Sequence, residues 1–245
     1  MCETSYTIGP KGVFFKCSKS GKNCLSMSTC QPSLFPKDGL VFSIRADNDN
    51  GQIVDSVTGI QIRKTGGGIS TVDGYRCWDL DNAYLERSGG SQLTEGQYYT
   101  HAVWLKWRSS DSGWRTVMRP SNDHSVIIRS GTKDLGMFSN RNGEFRDSRY
   151  DITNDMSTLQ LVIVTGEGNS ATSNTGTSTF YTGALGSGSV TRRGTSDRVV
   201  SGTTWYRLGW GGQGPGKVAA AYEWNRVLTI PEMNSLLKAT PTGGP

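Results

Sequence analysis

Short runs of β-branched and aromatic residues recur along the chain, and each is cut off by a cluster of Gly, Asn, Asp or Ser. GLVFSIR (39–45), YYTHAVWLKW (98–107), TLQLVIVT (158–165), STFYT (178–182), TTWYRL (203–208) and KVAAAYEW (217–224) are the clearest runs. Weaker ones lie at 52–63, in two pieces around Thr58-Gly59, and at 114–118, 125–129 and 136–138. Stops such as Ser109-Ser110-Asp111-Ser112-Gly113 and Asn140-Arg141-Asn142-Gly143 separate them. Many short strands punctuated by turn residues at roughly 8–12-residue spacing specify an all-β sandwich or barrel. No helical segments alternate with the strands, which argues against a parallel β-α-β sheet. Thirty-two glycines and eight prolines in 245 residues also exclude a helical bundle or coiled coil. Seven Trp, nine Tyr and seven Phe exclude a disordered chain. No apolar run approaches the ~20 residues that span a bilayer as a helix.

One helix is expected, at the end. Thr229 and Glu232 form a capping box, Pro231 is tolerated in the first turn, and Met233, Leu236 and Leu237 make one apolar stripe. Three segments follow: a Cys-bearing N-terminal extension over 1–36, a single β domain over 37–240, and a flexible tail over 241–245. The Ser/Thr/Asn/Gly stretch from 166 to 177 reads as a long exposed hairpin loop.

Cys2, Cys17, Cys24 and Cys30 are separated by 14, 6 and 5 residues, and no Cys-x-x-Cys is present. Disulfides within the extension are the expected use, in any of three pairings, with Cys77 left as a buried thiol. Disulfides imply an oxidising setting: extracellular, cell-surface, lumenal or virion-associated. The first residues lack the apolar core of a signal peptide, so the reading is of a processed chain or a different export route. No Asn-x-Ser/Thr acceptor occurs. The net charge of +5 is carried by arginines interspersed with carboxylates. That pattern argues against a nucleic-acid partner and allows a glycan or protein surface.

Catalytic patterns are weak. Asp79, Asp81 and Glu86 are the nearest approach to the paired carboxylates of a glycosidase. Neither His101 nor His124 accompanies a nucleophile motif. The glycine-rich run 209–216 precedes a strand rather than a phosphate-binding helix. Asp47 and Asp49, in Asp-Asn-Asp-Asn-Gly, are the candidates for a Ca2+ loop, although no downstream Glu completes it. Sugar recognition needs an aromatic face beside planar polar groups. The candidates are Trp114 and Trp210, with Tyr75 as a third aromatic, and the loop polar residues Asp123, Arg141, Asn142 and Gln213.

Residues Gly216 to Leu228 (GKVAAAYEWNRVL), followed by Thr229-Ile230-Pro231-Glu232-Met233, resemble the closing strand and helix of the concanavalin A-like, laminin-G-like family. Tyr99 to Lys106, Leu159 to Thr165, Thr179 to Gly183, Tyr206 to Gly209 and Asp38 to Phe42 resemble its other strands in order, so the resemblance spans roughly 37–240. It implies a two-sheet antiparallel jelly roll used mostly for binding glycans or proteins. Ala219 and Ala220 replace the family's acidic pair, and the Asp of its Tyr-x-Asp-Gly turn is missing at Tyr181-Thr182-Gly183. No binding residue is therefore carried over. The expectation is a non-catalytic, lectin-like module. The alternatives are a structural subunit of a virion, cell surface or other assembly, and a polysaccharide-cleaving enzyme.

Overall fold

A computed structural model describes residues 35–87, 96–108, 113–119, 122–155, 157–168, 176–198 and 206–245, and the backbone of 7–8, 14–17 and 24–25. The chain divides into two compact units, Met1–Leu34 and Phe35–Pro245. The first holds three short antiparallel strands, β1 (Thr7–Ile8), β2 (Phe14–Cys17) and β3 (Cys24–Leu25), with Cys17 opposite Cys24. Cys2 and Cys30 lie outside the described residues.

The second unit begins two residues before the sequence boundary at 37. Phe35 packs against Tyr222 at a centroid distance of 4.9 Å. The carbonyl of Pro36 accepts a 2.8 Å hydrogen bond from Trp224 Nε1. Its strands in chain order are β4 (Leu40–Arg45), β5 (Ile53–Val54), β6 (Gln61–Thr65), β7 (Ile69–Val72), β8 (Tyr75–Asp79), β9 (Tyr84–Arg87) and β10 (Tyr98–Trp107). There follow β11 (Arg115–Arg119), β12 (His124–Ile128), β13 (Asp134–Ser139), β14 (Glu144–Asp151), β15 (Gln160–Gly168), β16 (Gly176–Ala184), β17 (Thr191–Asp197), β18 (Arg207–Leu208) and β19 (Gly216–Trp224), then helix α1 (Ile230–Ala239). Two eight-stranded antiparallel sheets result. One runs β17-β16-β15-β10-β19-β8-β7, with β4 also on β19; the other runs β14-β13-β12-β11-β18-β9-β6-β5.

Alternation along the strands sorts side chains into layers. Phe42, Ile44, Val103, Leu105, Val162 and Val164 of the first sheet meet Leu85, Val117, Val126, Ile128, Leu135 and Leu208 of the second in the central core. The opposite face of the first sheet is apolar too: Ala102, Trp104, Leu161, Ile163, Ala219, Ala220 and Tyr222 pack under Met233, Leu236 and Leu237 of α1. Buried on both faces, β10, β15 and β19 read as near-continuous apolar runs. Ala219 and Ala220 lie in the layer beneath the helix.

The helix starts as its sequence dictates. Thr229 accepts from the Glu232 backbone N–H, and the Glu232 carboxylate accepts from the Thr229 N–H at 2.8 Å. Arg226, bonded to both Glu232 oxygens, together with the Thr229 contacts pulls that carboxyl down to about 2 against its partial burial. Burying Met233, Leu236 and Leu237 contributes about 1.5–3 kcal/mol each. The helix can settle closely because residue 183 has no side chain: a Cβ there would stand 3.0 Å from Leu237 Cδ2.

The tail, expected to be flexible, supplies carbonyl acceptors to the domain. The Pro245 carbonyl accepts from Ser43 Oγ (3.1 Å) and Ser56 Oγ (3.0 Å), and Arg45 Nη1 donates to the Thr242 carbonyl (2.8 Å). Tyr222, buried with its hydroxyl pushed well above the ordinary range, donates to the Pro241 carbonyl at 3.2 Å. Pro and Gly in this segment provide carbonyl acceptors for side chains of β4 and β19. The hairpin loop is also shorter than read from sequence, since β15 runs to Gly168 and β16 starts at Gly176.

Candidate ligand-binding face

The two large sheets of the second unit have four faces. Two meet in the core, and the outer face of the first sheet is covered by α1. No described helix covers the outer face of the second sheet, and the side chains there are not those of a bare solvent surface.

Its aromatic half is built on β13 and β14. Phe138 and Phe145 are directly opposed across the two strands. Trp114, just before β11, meets both edge to face at centroid distances of 5.4 and 5.5 Å. Residue 136 must be glycine for this: a Cβ there would lie 2.6 Å from the Phe145 ring. Trp114, Phe138 and Phe145 are all half-buried, so the cluster keeps surface for a partner.

Polar groups continue the face. His124 stands 6.2 Å from the Phe138 ring, and its Nδ1 lies 2.9 Å from Thr116 Oγ1. Thr116 Oγ1 gives its one hydrogen to Gln213 Oε1 at 3.2 Å, so His124 Nδ1–H is the donor to Thr116. Burial, with Arg119 nearby, pushes the His124 pKa down to about 4, so the ring is neutral at physiological pH. Gln213 is fixed by backbone bonds as well: its N–H reaches the Trp210 carbonyl (2.7 Å) and its carbonyl accepts from the Thr116 N–H (2.8 Å).

The other half is basic. Register places Arg119 of β11 opposite Arg207 of β18, Arg207 opposite Glu86 of β9, and Glu86 opposite Arg63 of β6. Glu86 is buried and accepts from Arg207 Nε (2.6 Å), Arg207 Nη2 and Arg63 Nη2. Burial alone would raise its pKa; the two guanidinium groups outweigh that and hold it below the ordinary carboxylate value. The guanidinium carbons of Arg119 and Arg207 lie 3.8 and 4.5 Å from the centroid of the Trp210 ring.

The structure thus brings Trp114, Trp210 and Gln213 onto one sheet face, with Asp123 buried near Arg119 at its edge and the other candidates elsewhere. Asp123 is fully buried, and its Oδ1 accepts the Asn140 N–H at 2.6 Å, fixing the β13–β14 turn. Arg141 and Asn142 are exposed in that turn, and no hydrogen bond or ion pair joins their side chains to Trp114, Trp210 or Gln213. Tyr75 packs with the layer under α1 instead. His101 is buried, with Nδ1 3.8 Å from the Glu223 carboxylate. Sequence reading missed Phe138, Phe145, Thr116 and the arginine row.

The structure gives the Ca2+ candidates Asp47 and Asp49 protein partners. Both Asp49 oxygens are taken, by the Gly51 N–H (2.9 Å) and by Trp78 Nε1 (2.8 Å). Asp47 is paired with Arg45 at 3.1 Å. Among the described residues no three His, Cys, Asp or Glu are grouped to hold a metal. The acidic triplet does not converge either. Asp79, in the first sheet, is paired with Lys217 at 2.7 Å, and Glu86 belongs to the second sheet. Cys77 is buried in β8, and burial raises its thiol to about 11.

No protein-family model and no curated protein matches the chain. Solved structures do. Domain 4 of AbnA, a GH43 extracellular arabinanase from Geobacillus stearothermophilus in complex with arabinotriose, aligns with a TM-score of 0.54 at 16% identity, over 81% of this chain and 97% of that domain. The shared fold is a two-sheet antiparallel jelly roll, consistent with the concanavalin A-like resemblance read from the sequence. The HCR/D W1238A mutant aligns with a TM-score of 0.56 at 11% identity, over 82% of this chain and 51% of that one. Trypanosoma rangeli sialidase in complex with 2,3-difluorosialic acid gives 0.56 at 11% identity, over 93% of this chain and 35% of the sialidase. The jelly roll therefore spans about half of the HCR/D chain and about a third of the sialidase. At these identities the likeness is one of fold. No described helix is long and apolar enough to cross a membrane.

Proposed function

We propose that this jelly roll is a carbohydrate-recognition module that binds a saccharide on the outer face of its second sheet. The observation that carries the reading is the half-buried Trp114, set between Phe138 and Phe145 and continued by the neutral line His124–Thr116–Gln213. A sugar ring offers C–H groups to an aromatic face and hydroxyls to fixed amide and imidazole groups. The arabinanase domain, bound to arabinotriose and matched almost whole, supports the same reading. In this proposal the module binds without catalysis, because Asp79 and Glu86 are each neutralised by cations and lie on different sheets. The cysteine content of the N-terminal unit favours work outside the reducing cytosol.

A glycan array followed by calorimetry on the best hit tests this. Trp114→Ala is expected to weaken binding at least tenfold, measured well below a melting temperature lowered by the loss of about 1–3 kcal/mol from its two ring contacts. A blank array, or full affinity in Trp114→Ala, would overturn the reading.

A further inference from the structure

The row Arg119–Arg207–Glu86–Arg63 crosses four strands drawn from distant parts of the chain, all on the outer face of the second sheet. Three guanidiniums and one carboxylate leave it two charges positive. Glu86 spends its oxygens on Arg207 and Arg63. Arg119 makes no ion pair within 4.0 Å among the described residues, although the buried Asp123 carboxylate lies near enough to attract it. Its Nη2 donates to the Asn122 carbonyl at 3.3 Å, while its Nε and Nη1 have no hydrogen-bond partner among the described residues. Both of these nitrogens are shielded from water, where a charge-assisted hydrogen bond is strongest and an unmade one most costly. The ring laid on this guanidinium is the Trp210 indole, which carries no acceptor.

Resting on the saccharide reading above, we infer that Arg119 and Arg207, beside Trp210, form an anion subsite that takes the carboxylate of an acidic sugar. The guanidinium fork matches a carboxylate in two parallel hydrogen bonds, which a lysine could not reproduce. Thr116 and Arg119 share β11, so a saccharide on the Trp114 half would run its next residues toward the row.

Trigalacturonate, its neutral methyl ester and a hexaglutamate peptide are titrated into the intact chain at low salt, with sodium sulfate as a sugar-free probe read by thermal shift. The acid is expected to bind at least tenfold tighter than the ester. Arg119→Gln should erase that difference while leaving ester binding in place. Glu86→Gln, which makes the row three charges positive, should tighten the acid further when measured well below its melting temperature. Sulfate should raise the melting temperature of the parent chain and not of Arg119→Gln. Equal affinity for acid and ester, with the ester still bound, would overturn the anion subsite alone. An Arg119-independent sulfate effect would overturn it whatever sugars do. Hexaglutamate binding more tightly than trigalacturonate would overturn the assignment to a saccharide. If neither sugar binds while sulfate stabilises through Arg119, the anion subsite stands and the saccharide reading falls.

Discussion

Glu86→Gln probes the basic row through stability alone. The substitution keeps shape and one carbonyl acceptor but removes the only negative charge between Arg63 and Arg207. The Glu86 side chain is 3% exposed, Arg207 16% and Arg63 58%. Removing one partner of a fully buried ion pair costs about 3–5 kcal/mol, mostly for the charge left behind. Here water can take back Arg63, and the substituted amide still accepts one bond, so the loss should be about 2–3 kcal/mol. For a domain of this size each kcal/mol moves the melting temperature by about 2–4 °C, so a fall of about 4–12 °C is expected.

The pH dependence has a definite sign. The Glu86 pKa is depressed in the folded state, from an ordinary value of 4.5. Its contribution is therefore complete above the ordinary carboxylate range and lost as pH falls through the folded value. Parent and variant, followed by thermal unfolding from pH 7 to pH 3, should differ most at neutral pH and converge in acid. An unchanged melting temperature, or a gap that persists undiminished at pH 3, would refute the reasoning.

Three other outcomes are expected. Asp49→Ala strands Trp78 Nε1 in a fully buried site and should cost about 2–3 kcal/mol by denaturant unfolding, with added Ca2+ giving the parent no thermal shift. Deleting residues 241–245 removes acceptors for Ser43, Ser56, Arg45 and Tyr222; a loss of about 2–4 kcal/mol is expected, and unaltered stability would show the tail to be free. His124 should titrate near pH 4 by NMR; because its folded pKa is lowered, the neutral buried ring costs stability progressively as pH falls from 6.5, where the unfolded ring takes up a proton, to about 4.

The parts of the fold that sequence revealed are those that carry a strong burial pattern. β10, β15 and β19 are buried on both faces and announce themselves as apolar runs. β7, β14 (EFRDSRYD) and β17 (TRRGTSD), terminal strands of their sheets where solvent and charge replace the alternation, were missed, and so was the short interior strand β9 (YLER), which carries two charged residues in four. Trp114, Trp210 and Gln213 stood out singly as aromatic and amide groups near turns. Phe145 was hidden in a charged run. Arg207, between buried Tyr206 and Leu208, is marked by alternation as outward-facing, but residues 63, 86, 119 and 207 become neighbours only through register, which no local pattern contains. Asp-Asn-Asp-Asn-Gly shows the oxygen content of Asp49's loop, while the hydrogen bond to Asp49 from Trp78, 29 residues away, comes only with the fold.

In the proposed reading the outer face of the second sheet receives the ligand. Indole N–H resonances report on it directly, since Trp114 and Trp210 are on that face and Trp78, Trp104 and Trp224 are fully buried elsewhere. Titrating the best array saccharide should shift the Trp114 resonance, with Trp210 following when the sugar is acidic, and leave the three buried indoles in place. Saturable binding that leaves Trp114 and Trp210 unmoved would contradict the account.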